Sequence, residues 1–331
     1  MKKLLFLCVS LFFVANCFSQ KIKIVADSIH SSMRGLSVVD NNVAWVSGSN
    51  GTVGRTIDGG KTWKWMTVKG FEKNDFRDIE AFDKKTAIIM AVAEPAYILR
   101  TEDGGETWKV VFENKTKGMF LDAMEFWNDQ SGIVIGDPIN SRFFIGRTFD
   151  GGKTWRDIPE EFKPVADSGE ACFASSGTNI RKLNRSEAVF VSGGLSSHIF
   201  IRDKKILLPI VQGTESTGAN SIAIKKEKTI IVVGGNFLKK DDTAKNCAIS
   251  EDGGYTWLSP KVSPTGYRSC VEYLNKNKWI TCGLNGVDIS NNNGINWQNI
   301  SSESFHVCRK AKKGNAVFFA GNGKLGKLVD W

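Results

Sequence analysis

Four short phrases of the sequence place a basic residue directly after a large apolar one: Met33-Arg34, Phe76-Arg77, Tyr267-Arg268 and Phe305-His306. Three of these basic residues are arginine, whose planar guanidinium meets a carboxylate or phosphate with two parallel hydrogen bonds. Brought together they would grip an anion. Held apart, each would pair locally, as Arg77 could with Asp78 or Glu94. A second set, Asp58, Asp103, Asp150 and Asp252, recurs in near-identical surroundings. An active site needs unlike groups converging once, so four copies of one group suit turn chemistry better than catalysis or calcium binding.

Other chemistry finds little support. The chain has no Gly-x-Ser-x-Gly elbow and no His-Glu-x-x-His, and its histidines are His30, His198 and His306. Gly48, Gly51 and Gly54 read as a β-turn, because no strand-turn-helix setting surrounds them. Beyond the first nineteen residues the cysteines are Cys172, Cys247, Cys270, Cys282 and Cys308, without a Cys-x-x-Cys pair. No zinc site, other metal or cofactor is expected from that spacing. A three-residue hairpin loop at 275–277 would set Cys270 opposite Cys282, either as a cross-strand disulfide or as two small core side chains.

The elements that position these residues come from a repeat. Residues 56–63 read Thr-Ile-Asp-Gly-Gly-Lys-Thr-Trp, and the pattern Ser/Thr-x-Asp-Gly-Gly-x-Thr-Trp returns at 101–108, 148–155 and 250–257. A fifth copy at 290–297 has Asn292 in the Asp position. The Trp residues Trp63, Trp108, Trp155, Trp257 and Trp297 step by 45, 47, 102 and 40. The long step conceals a degenerate unit turning near residues 202–205. In each box the hydroxyl and the carboxylate can bond amides of their own turn, the glycines take angles other residues avoid, and the Trp packs beneath.

Each unit carries four short apolar runs between turn residues, in the second unit 76–82, 86–92, 97–101 and 107–112. That pattern predicts an all-β fold, a seven-bladed β-propeller of four-stranded antiparallel blades. The tail supplies only three runs, 304–309, 316–320 and 324–329, and residues 21–25 supply the missing one. Pairing of the N- and C-terminal strands would close the ring and cover its edges.

Residues 1–19 carry Lys2 and Lys3, an apolar stretch from 4 to 15, then small residues, and read as a signal peptide, with 20–331 as a single propeller domain. The stretch is too short to span a membrane. Acylation at Cys17, giving an outer-membrane lipoprotein, is the alternative to a soluble periplasmic or extracellular protein. Formal charge is +9 over the whole chain and becomes +7 without Lys2 and Lys3, a mild basic bias. Without a basic cluster or a binding fold, nucleic acid is not an expected partner. A monomer binding another protein, or an anionic or glycan ligand, is expected.

The boxes, with blades opening on phrases such as Phe76-Arg77-Asp78-Ile79, resemble bacterial neuraminidase repeats and, across nearly the whole chain, the exported photosystem II assembly and stability factors. That resemblance implies a non-catalytic seven-bladed ring that holds another protein during assembly or repair. Nothing in the sequence requires a photosynthetic host. The same repeats occur in sialidases, which makes a glycoside hydrolase the alternative: Arg34, Arg77 and Arg268 would take a substrate carboxylate and Tyr267 would serve as nucleophile. Against it, residues 76–79 lack the Pro of the sialidase motif, and such sialidases have six blades.

In a four-stranded blade the box lies between strands three and four, whereas the inner strand begins at the opposite face. Arg34, Arg77, Arg268 and His306 then form a basic arc over four consecutive blades at the channel mouth, with Tyr267 beside Arg268 and with Asp122 and Glu170 across from them. Loops after the second strands carry Glu94-Pro95, Asp137-Pro138 with Arg142, residues 196–198 and residues 236–246 to the same face. Loops on a rigid scaffold are where specificity resides.

Overall fold

A computed structural model describes residues 20–331 of the chain. The signal-peptide reading and Cys17 lie outside these residues. Seven antiparallel sheets make up the described residues, six of four strands and one, that of blade 5, of five because the short strands Glu170–Ala171 and Gly193–Gly194 join it. Blade 1 is Met33–Val38, Ala44–Gly48, Thr52–Thr56 and Lys64–Thr67, and blade 2 is Phe76–Ala81, Ala87–Ala91, Ala96–Thr101 and Lys109–Asn114. Blade 3 starts at Leu121–Phe126, blade 4 at Ile180–Lys182, blade 5 at Thr217–Lys225 and blade 6 at Cys270–Asn275. Blade 7 combines Val307–Lys310, Val317–Gly321 and Lys324–Val329 with the N-terminal strand Lys21–Ala26, which pairs along Lys324–Val329 from Lys21↔Val329 to Ala26↔Leu325.

Burial explains the pattern of apolar runs. Second strands such as Ala87–Ala91 and Val317–Gly321 are buried at every residue, because neighbouring blades cover both faces of each sheet. Outer strands such as Lys64–Thr67 are largely exposed. Core side chains merge across blades: Met33, Leu36, Ile280, Phe305 and Phe319 from blades 1, 6 and 7 share one cluster. Each such side chain removed from water contributes about 1.5–3 kcal/mol.

The boxes are turns between strands three and four. Thr56 donates to Asp58 at 2.8 Å and accepts from the Gly60 amide at 3.0 Å, while Asp58 accepts from the Lys61 and Thr62 amides and the Thr62 hydroxyl. The hydroxyl and amide of Thr62 hold the Asp58 carboxyl at about 2. Gly59 and Gly60 have φ of 76° and 86°, and a Cβ on Gly60 would lie 2.8 Å from Phe318 of blade 7. Box tryptophans reach the preceding blade: Trp63 lies edge-on to Phe318 at 6.1 Å and Trp108 to Trp45 at 6.5 Å. Trp155 meets Phe126 of its own blade, and Trp257 packs against the core of blades 4 and 5. Asn292 keeps the Ser290 and Asn296 bonds of the fifth box.

Two blades lack a box for different reasons. In blade 4, His198–Ile201 and Lys204–Leu207 turn directly at Arg202 and Asp203, the degenerate unit. In blade 7 the fourth strand comes from the other end of the chain, so no turn exists. The box carboxylates stabilise the fold above their unfolded pKa of roughly 4 and lose that contribution as pH falls through about 2. Asp103→Ala is therefore expected to lower the melting temperature by a few degrees near neutral pH and by less near pH 2, where about half of the native Asp103 carboxyl is protonated; paired thermal melts check this.

Candidate functional site

The inner strands carry a repeated irregularity. Register shifts between Met33 and Gly35, Phe76 and Asp78, Leu121 and Ala123, and Ala219 and Ser221 leave Arg34, Arg77, Asp122 and Asn220 as bulge residues of blades 1, 2, 3 and 5. A bulge re-aims the extra side chain out of the sheet, here toward the channel. Counting back from Cys270↔Cys282 and Val307↔Ala320, the equivalent positions in blades 6 and 7 are Ser269 and His306.

Blade 4 contributes a plug instead. Residues 173–179 run from blade to blade across the channel. The Ser175 carbonyl accepts from Arg34, the Ser175 hydroxyl donates to Asn220, and the Ser176 hydroxyl donates to the Ser269 carbonyl. Thr178 donates to Ser221, and the Gly177 carbonyl accepts from Arg309 of blade 7. A Cβ on Gly177 would lie 2.3 Å from the Asp78 carboxylate of blade 2, so only glycine lets the plug pass.

Above the plug, on the face opposite the boxes, is a cavity of about 450 Å³ whose lining includes Arg34, Arg77, Asp137, Tyr267 and His306. Arg77 pairs with Asp75 at 2.7 Å and lies over the Phe120 ring. Among the described residues no carboxylate forms an ion pair with the Arg34 guanidinium, and burial followed by the Arg77 charge lowers its pKa. The same burial and the two guanidiniums push His306 down to about 3, leaving a neutral imidazole 3.2 Å from the Ser32 hydroxyl. Phe173, Phe237 and Tyr267 form an aromatic wall, with Phe237 edge-on to both others. The Tyr267 hydroxyl bonds Asn220 at 2.8 Å and is pushed by burial up to about 12.

Across from the arginines stand a half-buried carboxyl, Asp137, and a fully buried one, Asp122. Burial raises Asp137 to about 6 against one bond from the Cys172 amide. Asp122 is fully buried with no hydrogen-bond partner on either oxygen, and burial, then the Asp137 charge, raise it well above the usual carboxylate range. A carboxyl raised in the fold supports folding below its unfolded value of roughly 4 and loses that support as pH rises through the folded value. The stability difference between Asp122→Asn and the native chain is therefore expected to move in the variant's favour as pH rises above about 4, measured by urea unfolding at stepped pH.

Several sequence-predicted residues lie elsewhere. Arg268 is not at the mouth. It is fully buried and occupies the place held by Met33, Phe76 and Phe305 in other blades, between sheets, where it meets Asp288 at 2.6 Å and also bonds Thr265, Asn285 and the Tyr267 carbonyl. Aligning Tyr267-Arg268 with Phe76-Arg77 was one residue out of register, and one residue exchanges the two faces of a strand. Glu94 accepts from the Gly118 amide away from the cavity. Arg142 donates to the Lys163 carbonyl at 2.7 Å, tying the segment after blade 3. Glu170 pairs with His198 and Lys205, and these bonds with Ser192 outweigh its burial to hold it at about 2.

The box-side end of the channel holds a second cavity of about 480 Å³, lined by both acids and bases. Arg181 lies 3.6 Å from Glu125 and 3.5 Å from Glu272, and Lys312 pairs with Glu80. The plug, and Ser269 as a lining residue, escaped the sequence reading; the one trace of the plug is a Trp155-to-Trp257 step longer than two ordinary units.

The sequence model of the photosynthesis system II assembly factor YCF48 family matches residues 15–120. No curated protein matches the sequence. The solved structure of YCF48 bound to D1 peptide superimposes with a TM-score of 0.66 at 18% identity, covering 95% of this chain and 96% of that one. YCF48 from Cyanidioschyzon merolae gives 0.64 at 15% identity over 92% and 98%. The Neurospora crassa Pan2 WD40 domain, at 0.61 and 11% identity over 94% and 95%, shares the ring architecture alone. By its blades, its closure and this match, the chain is a seven-bladed propeller similar to the photosynthesis system II assembly factor YCF48.

Proposed function

We propose that this protein is an exported, non-catalytic assembly or stability factor that holds a segment of another protein, with a carboxylate of that segment seated between Arg34 and Arg77. The carrying observation is the convergence of these two side chains from adjacent blades on one open cavity, with a single carboxylate partner between them. Two guanidiniums of which one lacks a counter-charge favour an incoming anion over their resting state. The wall of Phe173, Phe237 and Tyr267 offers apolar surface beside that charge, suited to side chains preceding the carboxylate. A relative of the same fold has been solved with a D1 peptide bound, which supports a peptide as the ligand class. Export rests on Lys2, Lys3 and the apolar stretch from 4 to 15.

The glycosidase reading loses its geometry. It needs three convergent arginines, but Arg268 is bound to Asp288, and among the described residues no glutamate bonds the Tyr267 hydroxyl, which faces Asn220. Affinity capture from the cell envelope with mass spectrometry tests the proposal, run beside a panel of sialosides and polysaccharides. A specific protein retained and no glycan cleaved is the expected outcome. Turnover of any glycan by the native chain and not by Tyr267→Phe would overturn it.

A further inference from the structure

Three of the cysteines form a cluster that no local motif announces. Cys270 and Cys282 face each other across the first two strands of blade 6, and Cys308 comes from the inner strand of blade 7. Their sulfurs all lie within 4.8 Å of one another, with Cys270 Sγ and Cys308 Sγ 3.7 Å apart. All three are fully buried and free of disulfides, whereas Cys172 and Cys247 belong to other core clusters. We propose that Cys270, Cys282 and Cys308 form a three-thiolate site for a soft monovalent cation, cuprous copper.

The geometry fits before any ion is placed. Three sulfurs bound at about 2.3 Å to a central ion stand about 4 Å apart in a trigonal arrangement, within the spread observed. No histidine or carboxylate joins the cluster among the described residues. Structural zinc takes four ligands and carboxylate-bound metals take hard oxygen donors, so a closed set of three thiolates selects a soft ion content with three. Three thiolates around a monovalent ion leave two negative charges; the guanidiniums of Arg181 and Arg309 act on Cys270 and that of Arg268 on Cys282, each also paired with a carboxylate, Glu125, Glu272 or Asp288. The Cys308 amide points at Cys270 Sγ from 3.4 Å, a further donor to a thiolate.

Burial dictates how such an ion would enter. With no exposed sulfur, it would be captured while blades 6 and 7 close on each other, and it would then fasten the blade that carries the N-terminal strand. The competing occupants of the same space are no ion, with three thiols packed as small apolar groups, or a disulfide between two of them.

The full chain is unfolded with reductant, refolded without oxygen beside one equivalent of cuprous ion, and challenged with a cuprous chelator. The expected result is one copper retained per chain, three sulfur neighbours by X-ray absorption, and a raised melting temperature. Cys308→Ser is expected to lower retention by at least about tenfold, and the Cys172→Ser/Cys247→Ser control to leave it unchanged. Should Cys308→Ser fail to refold, the sulfur count on the native chain decides alone. Native refolded protein that yields all its copper to the chelator, copper with fewer than three sulfur neighbours, or retention lost in the control overturns the site. So does native protein with a disulfide among the three.

Discussion

Arg268→Ala is expected to destabilise the ring by about 3–5 kcal/mol, the usual cost of removing one partner from a buried ion pair. Asp288 would be left fully buried without its counter-charge, held only by the Thr265 amide and hydroxyl and by Asn299, while Thr265 and Asn285 lose the donors they now accept from. Urea unfolding near neutral pH measures the loss. The double substitution Arg268→Met/Asp288→Leu is expected to recover most of it, since apolar side chains occupy this position in the other blades and a buried pair is rarely better than good packing. If Arg268→Ala unfolds at the native midpoint, the pair carries no structural weight. Loss of partner capture in an Arg268 variant would therefore report a damaged blade 6 and say nothing about a binding contact.

Charge reversal at Arg34 and Arg77 is expected to do the opposite. Both side chains are only partly buried, one bonded to a carbonyl and one paired with Asp75, so Arg34→Glu/Arg77→Glu should lower the unfolding midpoint by less than Arg268→Ala does. Recovery of the captured protein should fall at least about a hundredfold, since replacing attraction by repulsion at a desolvated charge contact costs several kcal/mol. Arg77→Lys should fall between, keeping charge and losing the planar fork. Quantitative mass spectrometry of the captured fraction checks the series. Undiminished recovery with the double variant would remove the arginines from the binding surface.

Much of the ring could be read in advance because its signals are local. A box of eight residues contains its own turn, its own hydrogen bonds and the Trp that packs under them, so each copy identifies itself wherever it stands. The strand count in the tail likewise required a partner from residues 21–25, and edge pairing left one place for it. The inner positions were harder. Whether a residue enters the channel or the space between blades depends on a bulge, and in blade 6 a basic residue stood where the neighbouring blades carry Met or Phe, which drew the alignment to Arg268 instead of Ser269. Asp78 illustrates the same limit: the bulge turns it away from Arg77 beside it in sequence, and it bonds the Met124 amide of blade 3.

By itself the sequence determined the repeat, the turns, the apolar strands and the closure of the ring, since these depend on side chains acting on their own backbone or on strand alternation. Tertiary structure alone decided which charges meet. It brought Arg34 to Arg77, took Arg268 to Asp288, laid residues 173–179 across the channel and gathered three cysteines from two blades. Such encounters join residues far apart in the chain, and their geometry depends on the angle between sheets and on single-residue shifts in register, neither of which any local pattern encodes.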